Sequence, residues 1–160
     1  MHSIGFGACP TLPDIYLTPS YSIRLGSHEL DLGGSFRHTD YRYGNFKFSG
    51  VDLGYYFYPN GFGKKVDFYF CLNAKIDKTR VRDILGWYMY EQAEEFDALL
   101  VRYAVGYGFR KVFLKRFYFS TDVGIGPVYQ KSYFENSSSE NIVRHRISVQ
   151  TRAKIGYYFR

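Results

Sequence analysis

The sequence predicts an all-β fold: a closed, eight-stranded, antiparallel up-and-down transmembrane β-barrel, with residues 1–160 forming a single domain. Three observations point there. Apolar and polar residues alternate with period two through eight segments, so each strand has two faces that want different solvents. The polar face carries both glycines and charges of either sign, which makes poor strand surface and good filling for a narrow lumen. The aromatic residues of the apolar face gather at one end of the strands, as a membrane interface requires.

The segments follow in chain order. A short opening run, Ser3–Ala8, sets Ile4, Phe6 and Ala8 on one side. The second places Ile15, Leu17, Pro19, Tyr21, Ile23 and Leu25 opposite Tyr16, Thr18, Ser20, Ser22 and Arg24. In the third, Leu30, Leu32, Gly34 and Phe36 oppose Glu29, Asp31, Gly33, Ser35 and Arg37. The fourth opposes Val51, Leu53, Tyr55 and Phe57 to Gly50, Asp52, Gly54 and Tyr56. Phe46 and Phe48 sit on the wrong parity for that set, and a bulge near Ser49-Gly50 restores them to the apolar face. The fifth, from Val66 to Ile76, alternates Phe68, Phe70, Leu72 and Ala74 with Asp67, Tyr69, Cys71, Asn73 and Lys75. In the sixth, Leu99, Val101, Tyr103, Val105, Tyr107 and Phe109 oppose Arg102, Ala104, Gly106, Gly108 and Arg110. The seventh runs from Phe117 to Tyr129, with Ser120, Asp122, Gly124 and Gly126 on its polar side. The last sets Ile147, Val149, Thr151, Ala153, Ile155, Tyr157 and Phe159 against Arg146, Ser148, Gln150, Arg152, Lys154, Gly156 and Tyr158. Pro19 and Pro127 each remove a ladder donor, and a local bulge is the expected accommodation.

Connections alternate in length. Gly26-Ser27-His28, Pro59–Lys64 and Lys111–Lys115 are short; Cys9–Asp14, Thr39–Asn45, Asp77–Asp97 and Lys131–Val143 are mostly longer. In an antiparallel meander the two kinds fall at opposite ends of the sheet. The segments, about ten to fifteen residues each, exceed the roughly 9–11 that cross a bilayer at a tilt, and the excess belongs on the long-connection side.

An eight-stranded barrel can hold its apolar face inside, as a soluble lipocalin-like carrier does, or outside against lipid. The glycines of the polar face, among them Gly33, Gly54, Gly106, Gly108, Gly124 and Gly156, suit a lumen where small residues must stand beside large ones. Arg24, Glu29, Asp31, Asp52, Asp67, Lys75, Arg102, Arg110, Asp122, Arg146, Arg152 and Lys154 carry both signs and form an interior charge network if they point inward. Tyr55, Phe57, Phe68, Tyr107, Phe109, Phe117, Tyr157 and Phe159 all fall at the short-connection end, where they would form an aromatic girdle. The outward reading is the one these features favour.

Composition narrows the classes further. The chain holds 17 Tyr, 15 Phe and 16 Gly, so most of its segments lack helix-forming composition. No run of about 18 apolar residues exists, which excludes a transmembrane helix. A net charge of +6 raises nucleic acid as a partner, but the basic residues are dispersed along strand-like segments and no such partner is expected. Cys9 and Cys71 make neither a disulfide framework nor a metal motif. No basic stretch followed by an apolar run opens the chain, so no signal peptide is expected within it.

The whole pattern resembles the small eight-stranded outer-membrane barrels of Gram-negative bacteria, of the OmpX and OmpA-transmembrane-domain type. The runs Gly54-Tyr55-Tyr56-Phe57-Tyr58 and Gly156-Tyr157-Tyr158-Phe159 are similar to an idiom of the outer-membrane barrel proteins of the Bacteroidetes. The likeness covers nearly the whole chain and is one of pattern. It implies an outer-membrane location, short periplasmic turns, both termini in the periplasm, long extracellular loops, and contact with outer-membrane lipid and lipopolysaccharide. It also implies a last strand ending in an aromatic; here Phe159 is penultimate and Arg160 last.

Catalytic chemistry finds little support. His145 and Ser148 differ by three and face opposite sides, whereas a resemblance to the lipid A deacylases needs both on one outward face with an acid nearby. His38 lies near Asp40 at a loop base, as in the palmitoyltransferase barrels, but Ser35 points inward. His2 and His28 share no ligand spacing. No catalytic residue, metal or cofactor is expected. The Asp77–Asp97 connection, with Trp87, Tyr88, Met89 and Tyr90 together beside acidic residues, is the candidate binding loop for a protein partner. The other long connection, KSYFENSSSENIV, is a polar tract. The expectation is therefore a structural or interaction role through extracellular loops. The alternatives are a narrow solute pore, a lipid-modifying enzyme and a soluble carrier.

Overall fold

The computed structural model describes residues 1–11, 14–40, 45–82, 95–133 and 143–159. Eight strands make one closed barrel: β1 (His2–Thr11), β2 (Asp14–Leu25), β3 (His28–Asp40), β4 (Asn45–Phe57), β5 (Asp67–Arg82), β6 (Glu95–Phe113), β7 (Phe117–Tyr133) and β8 (Val143–Phe159). Every neighbouring pair is antiparallel and sequential. The circle closes where β1 pairs β8, from His2 opposite Phe159 to Ala8 opposite Ala153. Closure leaves no sheet edge, so every strand has a hydrogen-bonding neighbour on both sides.

The alternation resolves into an apolar outside and a polar inside. Val149 is 66% exposed and Leu53 50%, while Asp122 and Arg152 are 9% and 8% exposed. A soluble carrier would show the reverse, with the aliphatic residues converging on the axis. An exterior of aliphatic and aromatic side chains has no reason to face water over a whole cylinder, and this one is the surface of a transmembrane barrel.

Register follows the predicted parity, including the predicted break; a second shift, between His38 and Asp40, lies nearer the β3–β4 connection. Between β3 and β4 the pairing passes from Ser35 opposite Gly50 to Phe36 opposite Phe48, leaving Ser49 as the extra residue. That bulge returns Phe46 and Phe48 to the outer face, and the Ser49 hydroxyl donates to the Ser35 carbonyl at 3.0 Å. The prolines behave otherwise. β2 and β3 pair at Leu17–Phe36 and again at Ser20–Gly33 with no shift of register, so the ladder skips the rungs at Thr18 and Pro19. Likewise β6 and β7 skip the rungs at Tyr103 and Ala104, opposite Pro127 and Gly126, and resume in step. A bulge is not needed because each proline lacks a donor toward one neighbour only; its other neighbour, β1 at Phe6 or β8 at Ile147, keeps the pairing in register.

Strands run further than the alternation alone suggested. The Asp77–Asp97 connection was expected as loop, but β5 continues to Arg82 and β6 begins at Glu95, with Arg82 opposite Glu95. Hydrophobic periodicity fades once a hairpin rises beyond the apolar belt, while backbone pairing persists. Trp87, Tyr88 and Tyr90 lie outside the described residues.

Candidate functional site: the barrel interior

The polar face fills the lumen in tiers. The tier nearest the short turns is the densest. Arg110, 1% exposed, donates from Nη1 and Nη2 to the two oxygens of Glu29 at 2.5 and 2.8 Å. Its Nη1 also donates to the Tyr158 hydroxyl at 2.7 Å. Arg24 donates to the same hydroxyl at 2.5 Å and reaches Glu29 at 3.5 Å. Around this core stand Tyr56, Tyr58, Tyr69 and Tyr118, all buried, with the Arg110 guanidinium 4.4 Å from the centre of the Tyr118 ring. Phe62 folds in from the β4–β5 turn, its ring 3.8 Å from that of Tyr58 and 3.2 Å from the Arg24 guanidinium. Arginine suits this position because its planar fork satisfies a carboxylate bidentately while its face stacks on rings.

The middle tiers are ion pairs bridged by neutral donors. Lys154 donates to Asp31 at 2.6 Å, and the Ser22 hydroxyl donates to the same Asp31 oxygen at 2.5 Å. Arg152 spans Asp122 at 3.2 Å and Asp52 at 3.4 Å, and donates to the Asn73 side-chain oxygen at 2.7 Å. The Tyr69 hydroxyl donates to Asp122 at 3.3 Å, which links this tier to the tyrosines below. Nearer the long connections Arg102 donates to Asp77 at 3.1 Å, and the Lys75 ammonium rests 3.6 Å from the centre of the Tyr16 ring. A cavity of about 20 Å³ beside Cys9, Asp52, Lys75 and Arg152 has room for about one water.

Charge of both signs shares the lumen. Among the described residues the buried carboxylates are Glu29, Asp31, Asp52, Asp67, Asp77 and Asp122, and they share the interior with Lys75, Arg102, Arg110, Arg152, Lys154 and the half-buried Arg24. Each buried carboxylate but Asp67 thus has a cation beside it within the lumen.

Of the residues singled out from the sequence, Arg24, Glu29 and Arg110 form one group, Asp31 and Lys154 a second, and Asp52, Asp122 and Arg152 a third. Asp67 joins none of them. It accepts from the turn amides of Gly63 and Lys64 at 3.3 and 3.1 Å and so shapes the β4–β5 turn. Arg102 pairs with Asp77, which stands where the apolar alternation ends but continues the inward set Asp67, Tyr69, Cys71, Asn73, Lys75 by one more step. Arg146 is exposed.

Two glycines show why small residues share the inner face with tyrosines. A Cβ added at Gly108 would lie 2.7 Å from the Tyr69 ring, and one at Gly156 would land on the ring of Tyr118, its neighbour on β7. The floor under Tyr118 includes Gly5, the β1 partner of Gly156. The rings lie flat against bare backbone because an eight-stranded lumen has no width to spare.

The predicted girdle residues sit on the outer face at the short-turn end. Tyr55 shares a 2.7 Å hydrogen bond with His28, Phe117 packs edge-on against Tyr157 with ring centres 5.1 Å apart, and Phe68 pairs in register with Phe109. Phe57 stacks obliquely on His28, and Phe159 on His2. Tyr107 is 65% exposed on the same face. His2 and His28 are thus held in aromatic stacks on opposite sides of the β2–β3 hairpin. His145 lies against Tyr129 and His38 against Phe46, each edge-on. Among the described residues no group of histidine, cysteine and carboxylate side chains is arranged to hold a metal.

A closed antiparallel barrel with an apolar exterior and an ion-paired interior has the architecture of an eight-stranded transmembrane barrel, the fold of OmpA- and OmpX-type proteins. Comparison with solved structures agrees. The chain is similar to the N-terminal β-barrel domain of Pseudomonas aeruginosa OprF, with a TM-score of 0.61 over 98% of this chain and 95% of that one, at 11% identity. At that identity the likeness is one of fold. No family model matches the sequence, and none of the curated proteins does.

Proposed function

We propose that this chain is an integral outer-membrane barrel, plugged by its own side chains, whose role is structural or interactive through its long-connection end. The observation that carries this reading is the tier at Arg110: a bidentate pair with Glu29, two arginines on one tyrosine hydroxyl, and Phe62 laid across the end. A conducting water column would have to break these contacts, and breaking a buried ion pair costs about 3–5 kcal/mol. The likeness to OprF supports an outer-membrane location. The girdle of aromatic rings at the short-turn end supports an orientation with short turns and termini in the periplasm and long connections outside. In that orientation outer-membrane lipid covers the belt and lipopolysaccharide its outer rim. Trp87, Tyr88 and Tyr90 would be offered to a protein partner, and catalysis has no part.

Planar-bilayer recording tests the plug: the purified barrel should insert without regular current steps, and reproducible single-channel steps would replace this reading with a narrow solute pore. The cavity beside Lys75 and Arg152 is the feature that favours that second reading. Folding itself is checked in detergent, where the unboiled protein should migrate faster than the boiled one.

A further inference from the structure

Exposed charge at the short-turn end has a single sign. Among the described residues there, Lys64, Lys65, Lys111, Lys115 and Arg116 are all exposed. The two carboxylates at that end, Glu29 and Asp67, are 1% and 3% exposed and already engaged by Arg110 and by turn amides. Register brings the basic turns side by side, since Asp67 at the start of β5 pairs with Arg110, the residue before Lys111. The β6–β7 turn is also fastened to β8: the Tyr158 amide donates to the Arg116 carbonyl at 2.8 Å, and Arg116 Nη1 donates to the Tyr157 hydroxyl at 2.8 Å.

The apex of that turn is apolar. Leu114 is 79% exposed, and it and Lys115 hold left-handed backbone at φ 50° and 63°. Glycine or asparagine would adopt that backbone with less strain. A leucine held there against strain gains nothing in water. It gains burial if the turn dips into the boundary between headgroups and acyl chains, with Lys115 and Arg116 reaching back to the phosphates and Phe113, Phe117 and Tyr157 beneath them.

We propose that the short-turn rim is a binding surface for anionic phospholipid headgroups of the leaflet it faces, with Lys111, Lys115 and Arg116 holding the phosphates and Leu114 anchoring the turn. This rests on the transmembrane reading of the fold. Basic charge alone would also suit an acidic protein or polysaccharide; Leu114 and the adjoining rings favour lipid.

The full chain, reconstituted in phosphatidylcholine vesicles, is probed with spin-labelled phosphatidylglycerol and spin-labelled phosphatidylcholine. The motionally restricted fraction should favour the anionic probe by about threefold or more. That preference should fall to parity in K111Q/K115Q/R116Q, and also in wild type at about 1 M salt, where the screening length is about 3 Å. A folded wild type with no preference overturns the inference, as does a preference that survives the triple substitution or high salt. If the triple variant fails to fold, the salt arm alone decides. Displacement of the anionic probe by soluble polyglutamate at equal charge, unchanged in Leu114→Ser, would reassign the surface to an acidic macromolecule and overturn the lipid assignment. A wild type that shows no faster-migrating unboiled form would instead count against the membrane-barrel reading.

Discussion

The two ends of the lumen are built from the same residue types and are not equally tight. Toward the short turns, Arg110 holds both oxygens of Glu29 and the Tyr158 hydroxyl within 2.5–2.8 Å, walled by tyrosines lying on glycines. Toward the long connections the contacts lengthen. Arg152 is shared between two aspartates at 3.2 and 3.4 Å, and Lys75 has an aromatic face where Lys154 has a carboxylate at 2.6 Å. What separates the two ends is the turn. A short connection brings Tyr58 and Phe62 back across the opening, whereas the long hairpins rise past it. Burial at the closed end makes an unpaired carboxylate expensive, and there Arg110 holds both oxygens of Glu29.

Several perturbations would break or sharpen that contrast. The largest effect is expected at Arg110: R110M strands Glu29 without its bidentate partner and should cost about 3–5 kcal/mol in a denaturant refolding equilibrium in lipid or detergent. The double variant E29Q/R110M should recover part of that loss, and a double variant worse than the sum of the two singles would mean the pair is not the unit described. Next comes Gly156→Leu, which drives a side chain into the Tyr118 ring. A loss of about 1–3 kcal/mol is expected, read as a lower midpoint for conversion of the fast-migrating band to the slow one. At the looser end, Lys75→Met replaces a cation held by a ring with a side chain of similar length, and the same midpoint should move by no more than about 1 kcal/mol. A large loss there would erase the contrast between the two ends. The smallest change is expected at the strained apex, where Leu114→Gly relieves left-handed leucine but gives up its anchoring burial, so the unfolding free energy should change by less than about 1 kcal/mol.

How much of this was legible beforehand follows from what each feature depends on. Strand parity depends only on neighbours in the chain, so the inward set of β8, from Ser148 through Arg152 and Lys154 to Tyr158, could be read directly. The Ser49 bulge was legible for the same reason: Phe46 and Phe48 break parity, and one extra residue repairs it. The proline sites were not, because whether a missing donor needs a bulge depends on which neighbour it faces. The continuation of β5 and β6 to Arg82 and Glu95 leaves no mark in the sequence, since pairing above the belt is carried by backbone without an apolar stripe. Asp77 was lost with it, cut off by a boundary drawn where hydrophobicity ended. The seal at the short-turn end could not be foreseen either: Phe62 lies in a turn, and nothing local says that its ring returns to Arg24.

By itself, then, the amino-acid order determined which residues share a face, how many strands there are, and that charge of both signs would be confined together on the inner one, because a period of two is a local property of extended chain. Only the closed barrel decided who pairs with whom. Arg110 and Glu29 are 81 residues apart, and Arg152 and Asp52 are 100 apart. Their meeting depends on strand order, stagger and the width of the lumen, which no stretch of sequence contains.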